Sequence, residues 1–170
     1  ITSNQTCASL QVGEGASGIL EYHNGSGVTL TVNGNISVSS GAVFRAHSAP
    51  TANRTHSLSV SGSIINNGTL TFYYLSGSYT SVVNTTLAGS TAASYSGSGS
   101  TLLNNLVQAN SGGFSLGANL ALKGNFTDRF GNYDYNSIMH YGGYDFSNNN
   151  QPTLTRKDKA ELISNHTLSH

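Results

Sequence analysis

Six histidines, three glutamates and one cysteine are the residues of this 170-residue chain with the most obvious chemical potential. Their spacing is poor for catalysis. Of His23, His47, His56, His140, His166 and His170, only His166 and His170 stand four apart, the spacing that would put two imidazoles on one helical face. Thr167 follows His166 where a zinc-peptidase helix has Glu, and Ser164 and Asn165 disfavour a helix there. Both are therefore expected to be surface histidines. Glu14 and Glu21 are too isolated for an acid/base pair and are expected to be solvated loop carboxylates. Asp128, Asp134 and Asp145 could gather around calcium, but no EF-hand or nonapeptide calcium spacing accompanies them. The run Ser96-Gly97-Ser98-Gly99-Ser100 reads as a flexible turn, since no Lys and no helix follows it to make a phosphate cradle. Cys7 is alone, so the chain forms no internal disulfide and no thiolate metal site. No catalytic residue, metal or cofactor is expected from this inventory.

Asn-x-Ser/Thr triplets begin at Asn4, Asn24, Asn35, Asn53, Asn67, Asn84, Asn125 and Asn165. They are candidates for N-glycosylation. Abundant Ser and Thr alone would produce most of them.

The elements that carry these residues are written in the composition. Gly, Ser, Asn and Thr make up 82 of the 170 residues, while charged residues are 8% and the formal net charge is zero. That balance excludes a basic nucleic-acid binder and a charge-rich helical bundle. No apolar run approaches the length of a membrane span, and no signal peptide is visible at Ile1. Charge is also uneven. Residues 1–122 carry only Glu14, Glu21, Arg45 and Arg54; the remaining ten charged residues follow Leu122. The texture change divides the chain into a β domain, 1–126, and a tail, 127–170.

The first segment repeats. Residues 30–44 and 58–72 share Leu, Val, Gly, Ile and Phe at matching places, and LALKGNF at 120–126 follows the same rule. A copy missing from this series would fall near 87–95. Periods of 20–50 residues signal stacked repeats. Within each copy apolar residues alternate, as in half-buried strands, and then Gly34, Gly62 or Gly124 breaks the alternation at a corner. The predicted fold is all-β, a β-solenoid with a short mixed appendage; a β-sandwich is the alternative. Leu30, Val32, Ile36, Leu58, Val60, Ile64, Leu120, Leu122 and Phe126 should be buried in equivalent positions. Asn66, Asn67, Asn104 and Asn105 should hydrogen-bond between adjacent turns.

Residues 27–126 resemble the β-strand repeats of bacterial surface and secreted proteins, most clearly over SGSTLLNNLVQANSGGFSLGANLALKGNF at 98–126. The resemblance implies a right-handed β-helix-like rod at or outside the cell surface, serving adhesion or structure.

Residues 133–141 read Tyr-Asp-Tyr-Asn-Ser-Ile-Met-His-Tyr, followed by Phe146-Ser147 and Pro152-Thr153-Leu154. Over about 125–170 this resembles the C-terminal part of astacin-type zinc metallopeptidases. The resemblance implies that Met139 is the Met-turn residue and Tyr141 the mobile zinc ligand of that family. The family's His-Glu-x-x-His-x-x-Gly-x-x-His helix is missing, so three imidazoles and the general base are missing with it. Met139 and Tyr141 are then expected to be packing residues. A short helix is predicted over 156–163, with Thr155 as its N-cap, and could cap the last turn of the coil.

Three functional readings follow. The main one is a non-catalytic extracellular structural or adhesive β-protein. The others are a non-catalytic fragment of an astacin-type peptidase and a subunit of an extracellular filament. Self-association through the weakly charged N-terminal region is expected, with no nucleic-acid partner and no membrane insertion; a carbohydrate or surface ligand fits the polar surface.

Overall fold

A computed structural model of the chain describes residues 1–15, 17–129 and the strand at 133–134. The predicted helix at 156–163, Met139, Tyr141, Asp145, Asn165, His140, His166 and His170 lie outside the described residues.

Short apolar-polar alternations separated by Gly, Asn and Ser can form only short strands, and strands account for all the regular structure described. In chain order they are β1 (Gln5–Cys7), β2 (Leu10–Val12), β3 (Gly18–Glu21), β4 (Thr29–Val32), β5 (Ile36–Val38) and β6 (Ala42–Arg45). Then come β7 (Arg54–Val60), β8 (Ile64–Asn66), β9 (Thr69–Thr71), β10 (Tyr73–Ser76), β11 (Tyr79–Leu87) and β12 (Ala93–Ser96). The last six are β13 (Ser100–Leu103), β14 (Leu106–Gln108), β15 (Phe114–Leu116), β16 (Ala121–Leu122), β17 (Phe126–Asp128) and β18 (Tyr133–Asp134).

The strands form three sheets. The first runs β1-β4-β7-β11-β14-β17, the second β18-β15-β12-β8-β5-β2 and the third β16-β13-β9-β6-β3. The chain visits the three sheets in turn, and each visit pairs in parallel with the visit before it. This is not the antiparallel pairing of a sandwich. One antiparallel pair interrupts the pattern, where β10 folds back on the start of β11 around Gly77. The strands β1, β2 and β3 each end their sheet.

Register makes columns of like residues. In the first sheet Leu30, Leu58, Thr85, Leu106 and Phe126 stand opposite one another in succession. In the second, Leu10, Ile36, Ile64, Tyr95 and Leu116 do the same. These side chains face one shared core, closed at the corner of the third sheet by Tyr22, Phe44 and Phe72. Phe44 and Phe72 meet edge to face at 5.0 Å, the geometry that sets a positive ring edge on a negative face.

All nine residues expected to be buried are buried. Their equivalence holds for Leu30 with Leu58, Val32 with Val60, and Ile36 with Ile64. The third copy needs correcting. Leu122 belongs to the third sheet, pairing with Leu103, and Phe126 falls in the Leu30 column of the first. The cause is a shortening of the circuit. First-sheet partners are 28 residues apart at Leu30 and Leu58 but 20 apart at Leu106 and Phe126. Apolar-x-apolar-x-Gly is what any strand needs before a corner, so the signature recurs one sheet out of phase. The copy sought at 87–95 is the β11 segment ending at Leu87, opposite Val60.

Asparagine joins the circuits at the corners. Oδ1 of Asn4, Asn35, Asn53 and Asn67 accepts a backbone N–H of the next circuit, from Thr29, Ser63, Thr80 and Ser98 respectively. Asn104 and Asn105 both donate Nδ2–H to Oδ1 of Asn84, at 2.9 and 3.0 Å. Buried Asn66 donates to the Ser100 carbonyl and to the Thr101 hydroxyl. The inter-turn bonding expected of these residues is therefore present, and it satisfies amides that would otherwise be costly to bury.

Candidate functional site

Glu21, His23, His47 and His56 gather at one place, the corner where the chain leaves the third sheet for the first. Glu21 ends β3 and stands opposite Arg45 at the end of β6, a placement fixed by the parallel register. Arg45 donates Nε–H to Glu21 Oε2 at 2.6 Å. Two residues on, Nδ1 of His47 lies 2.7 Å from Oε1 of the same carboxylate. Ser48 adds its amide and its hydroxyl, at 3.4 and 3.3 Å. Burial pushes the Glu21 carboxyl up, but the His47 hydrogen bond and the Arg45 charge outweigh it and leave the group below the ordinary range.

This corrects the sequence reading of Glu21 as a solvated loop carboxylate. It is a half-buried strand-end residue that ties the first circuit to the second. The sequence carries a signal for it: Glu21 and Arg45 each close a short continuous apolar run, Gly-Ile-Leu and Ala-Val-Phe, at the same point of the circuit. Glu14 is exposed in a bend, as expected.

Behind this pair lies His56, fully buried near the start of β7. Its Nδ1 accepts the N–H of Val28 at 3.2 Å. Its Nε2 is buried with no hydrogen-bond partner. The Tyr22 ring covers it at 4.9 Å, and the His23 ring stands 6.3 Å away. Tyr22 is itself buried, its hydroxyl donating to the Ser57 carbonyl, and burial raises its pKa far above the ordinary value. Burial lowers His56 to about 4, helped by the positive charges of neighbouring His23, the chain amino group, Arg54 and His47. Metal-ligand spacing alone does not single this histidine out; its alternation with Leu58 and Val60 does, by placing it on the inward face.

The corner can hold an imidazole in a chosen tautomer. Among the described residues no group of three or more His, Cys, Asp and Glu side chains could hold an ion. Cys7 is a free, half-buried thiol opposite Val32. The Ser96–Ser100 run is a turn whose amides are spent on the neighbouring circuit: Gly99 N–H reaches the Asn66 carbonyl at 2.8 Å and Ser100 N–H the Gly68 carbonyl at 3.0 Å. Of the Asn-x-Ser/Thr residues described, Asn24 donates Nδ2–H to Thr51 at 2.8 Å and Asn84 is half-buried. Asn4, Asn35, Asn53, Asn67 and Asn125 are exposed.

Comparison with known proteins bears on the end of the chain. Residues 121–169 match the peptidase family described as Astacin. Blastula protease 10 of Paracentrotus lividus is 57% identical over 35 residues, which are 21% of this chain and 6% of that protein. The chain thus spans a small fraction of the length of that relative. No solved structure matches the chain. The sequence contains no His-Glu-x-x-His. The zinc that the astacin likeness implies does not fit the donors of this chain, because none of its histidines stand at the spacing of that motif with a Glu beside them.

Proposed function

We propose that this chain is a non-catalytic piece of an astacin-type metallopeptidase, in which a β-coil runs into the Met-turn end of the peptidase domain. The observation that carries this reading is the match over 121–169, reinforced by 57% identity over 35 residues to a protein named as a protease. It takes precedence over the adhesive reading, which rests on composition and repeat texture. The coil itself is read as a right-handed β-solenoid. Support for this comes from the three-sheet parallel order, together with the near-universal right-handedness of parallel crossover connections. An extracellular setting agrees with the low charge and with the secreted character of the peptidase family that the tail resembles.

By the same likeness Met139 and Tyr141 occupy the Met-turn positions, but the chemistry of that turn needs a held metal. A Met-turn does not ligate zinc, and one phenol cannot retain it against water. The test is elemental analysis of the purified 170-residue chain after zinc addition and desalting, alongside a gelatin-cleavage assay. Neither stoichiometric zinc nor cleavage is expected. One zinc per chain with cleavage would overturn the reading.

A further inference from the structure

The buried imidazole at position 56 shares the inward face of β7 with Leu58 and Val60. It faces Val83 across the β7–β11 pairing, and its Nδ1 takes the amide of Val28, the residue that leads into β4. That bond fixes the tautomer. An N–H pointing at Nδ1 requires a lone pair there, so the ring's single proton sits on Nε2, which has no acceptor. A second proton has one place to go, Nδ1, where it would confront the Val28 N–H. Protonation therefore removes the hydrogen bond that ties the Val28 amide to the third circuit and leaves a cation in an apolar site.

The surroundings offer that cation nothing. From the connection after β3 come Tyr22, a neutral phenol, and His23. The chain amino group of Ile1 donates to the Glu21 carbonyl at 2.6 Å, close by. From β7 comes Arg54, held by the Asn24 carbonyl at 3.0 Å. The connection after β6 supplies His47. The nearby carboxylate, Glu21, already serves Arg45, His47 and Ser48. The charges that act on His56 are positive.

We propose that His56 is a proton-operated latch: protonation at Nδ1 frees the corner from Tyr22 to Val28 and opens the first circuit, residues 1–28, while the later circuits stay closed. The β1–β4, β2–β5 and β3–β6 ladders also hold the first circuit to the second. It is the circuit that responds because its chain connection to β4 runs through this corner, so freeing Tyr22 to Val28 leaves those ladders alone to hold it. In physical terms the first circuit is a local unfolding unit whose opening is coupled to one titration.

The sign follows from the two protonation states. The closed form holds His56 at about 4, whereas the open form returns it to the ordinary 6.5. The open form thus binds protons more readily. Closure is at full strength above pH 6.5 and weakens as pH falls towards 4. Glu21, whose value is lowered, loses its contribution only below the ordinary 4.5, so the two windows do not overlap above that value.

Hydrogen exchange on the whole chain, read by mass spectrometry and corrected for intrinsic rates, tests this. From the two values, the opening constant of 1–28 should rise about 30-fold between about pH 7.5 and about pH 5. Peptides from 93–108 should stay protected. His56→Asn keeps an acceptor near the Nδ1 position without a titrating ring, and its 1–28 peptides should not respond to pH. Unchanged protection of 1–28 in the wild type, an equal response in His56→Asn, or simultaneous loss in every circuit would overturn the proposal. Should the variant fold poorly, imidazole-nitrogen NMR of the wild type decides independently. A bare Nδ1 persisting to about pH 5 supports the latch, and a His56 that titrates near its ordinary value contradicts it.

Discussion

Thr85 shows how strongly position in a column decides what a residue does here. It stands between Leu58 and Leu106 in the first-sheet column, almost fully buried, and its hydroxyl has no partner. Its neighbours in sequence, Asn84 and Thr86, are half-buried on the outer face, where polar groups meet water or other amides. A buried hydroxyl without a partner is a cost that an isosteric methyl avoids. Thr85→Val should therefore raise stability by about 1 kcal/mol, seen as a higher urea midpoint at unchanged slope. Buried Gln108 is the contrasting case. Its amide exchanges hydrogen bonds with the backbone of Asn110, at 3.1 and 2.8 Å, so its polarity is satisfied where it lies. Period-2 reading of the sequence finds both inward positions. It cannot tell which of the two polar side chains finds a partner, since that depends on the corner that follows.

At the scale of elements, the corners matter more than the strands. Gly34, Gly62 and Gly124 read as bends in the sequence, and the reason the first two must be glycine is close approach rather than unusual backbone. A Cβ at Gly62 would come within 2.6 Å of the Gly34 backbone, and one at Gly34 within 2.6 Å of the Ala8 carbonyl oxygen. Gly97 combines both constraints, with φ at +114° and a Cβ position 2.1 Å from the Asn66 carbonyl oxygen. Gly97→Ala should destabilise by about 3 kcal/mol or more, because backbone strain and a backbone clash add. Gly77, in the β10–β11 hairpin, has φ at +58° with open space around it. Gly77→Asn should cost no more than about 1 kcal/mol, since Asn tolerates that conformation. Thermal unfolding of the pair separates packing at a corner from turn preference. The corners are legible in the sequence as glycines and asparagines. Their phase is not, because circuits of 28 and of 20 residues produce the same local signature at different sheets.

Across the whole molecule, two textures meet. The weakly charged repeat folds as stacked parallel circuits, and the first and second sheets continue through β17 and β18, beyond Leu122 where charge density rises. The astacin-like match begins at residue 121, so the last strands lie within it. The β character and the repeat are readable from residue types and spacing, and the peptidase-like end from its resemblance to the astacin family. The corner built on Glu21, Arg45, His47 and His56 is not, because its members lie up to 35 residues apart and meet only once the register is known. Columns, corners and latch all rest on that register: parallel circuits with Thr31 opposite Ser59. Neighbouring strands are about 4.8 Å apart, within the Cα range a disulfide spans, whereas a diagonal partner is about 7–8 Å away. The most direct test is oxidation of Thr31→Cys paired with Ser59→Cys, in a Cys7→Ser background, against Thr31→Cys paired with Ser57→Cys. Rapid disulfide formation in the first pair and little in the second is the predicted result. Equal rates, or faster closure through position 57, would contradict the stacked parallel architecture.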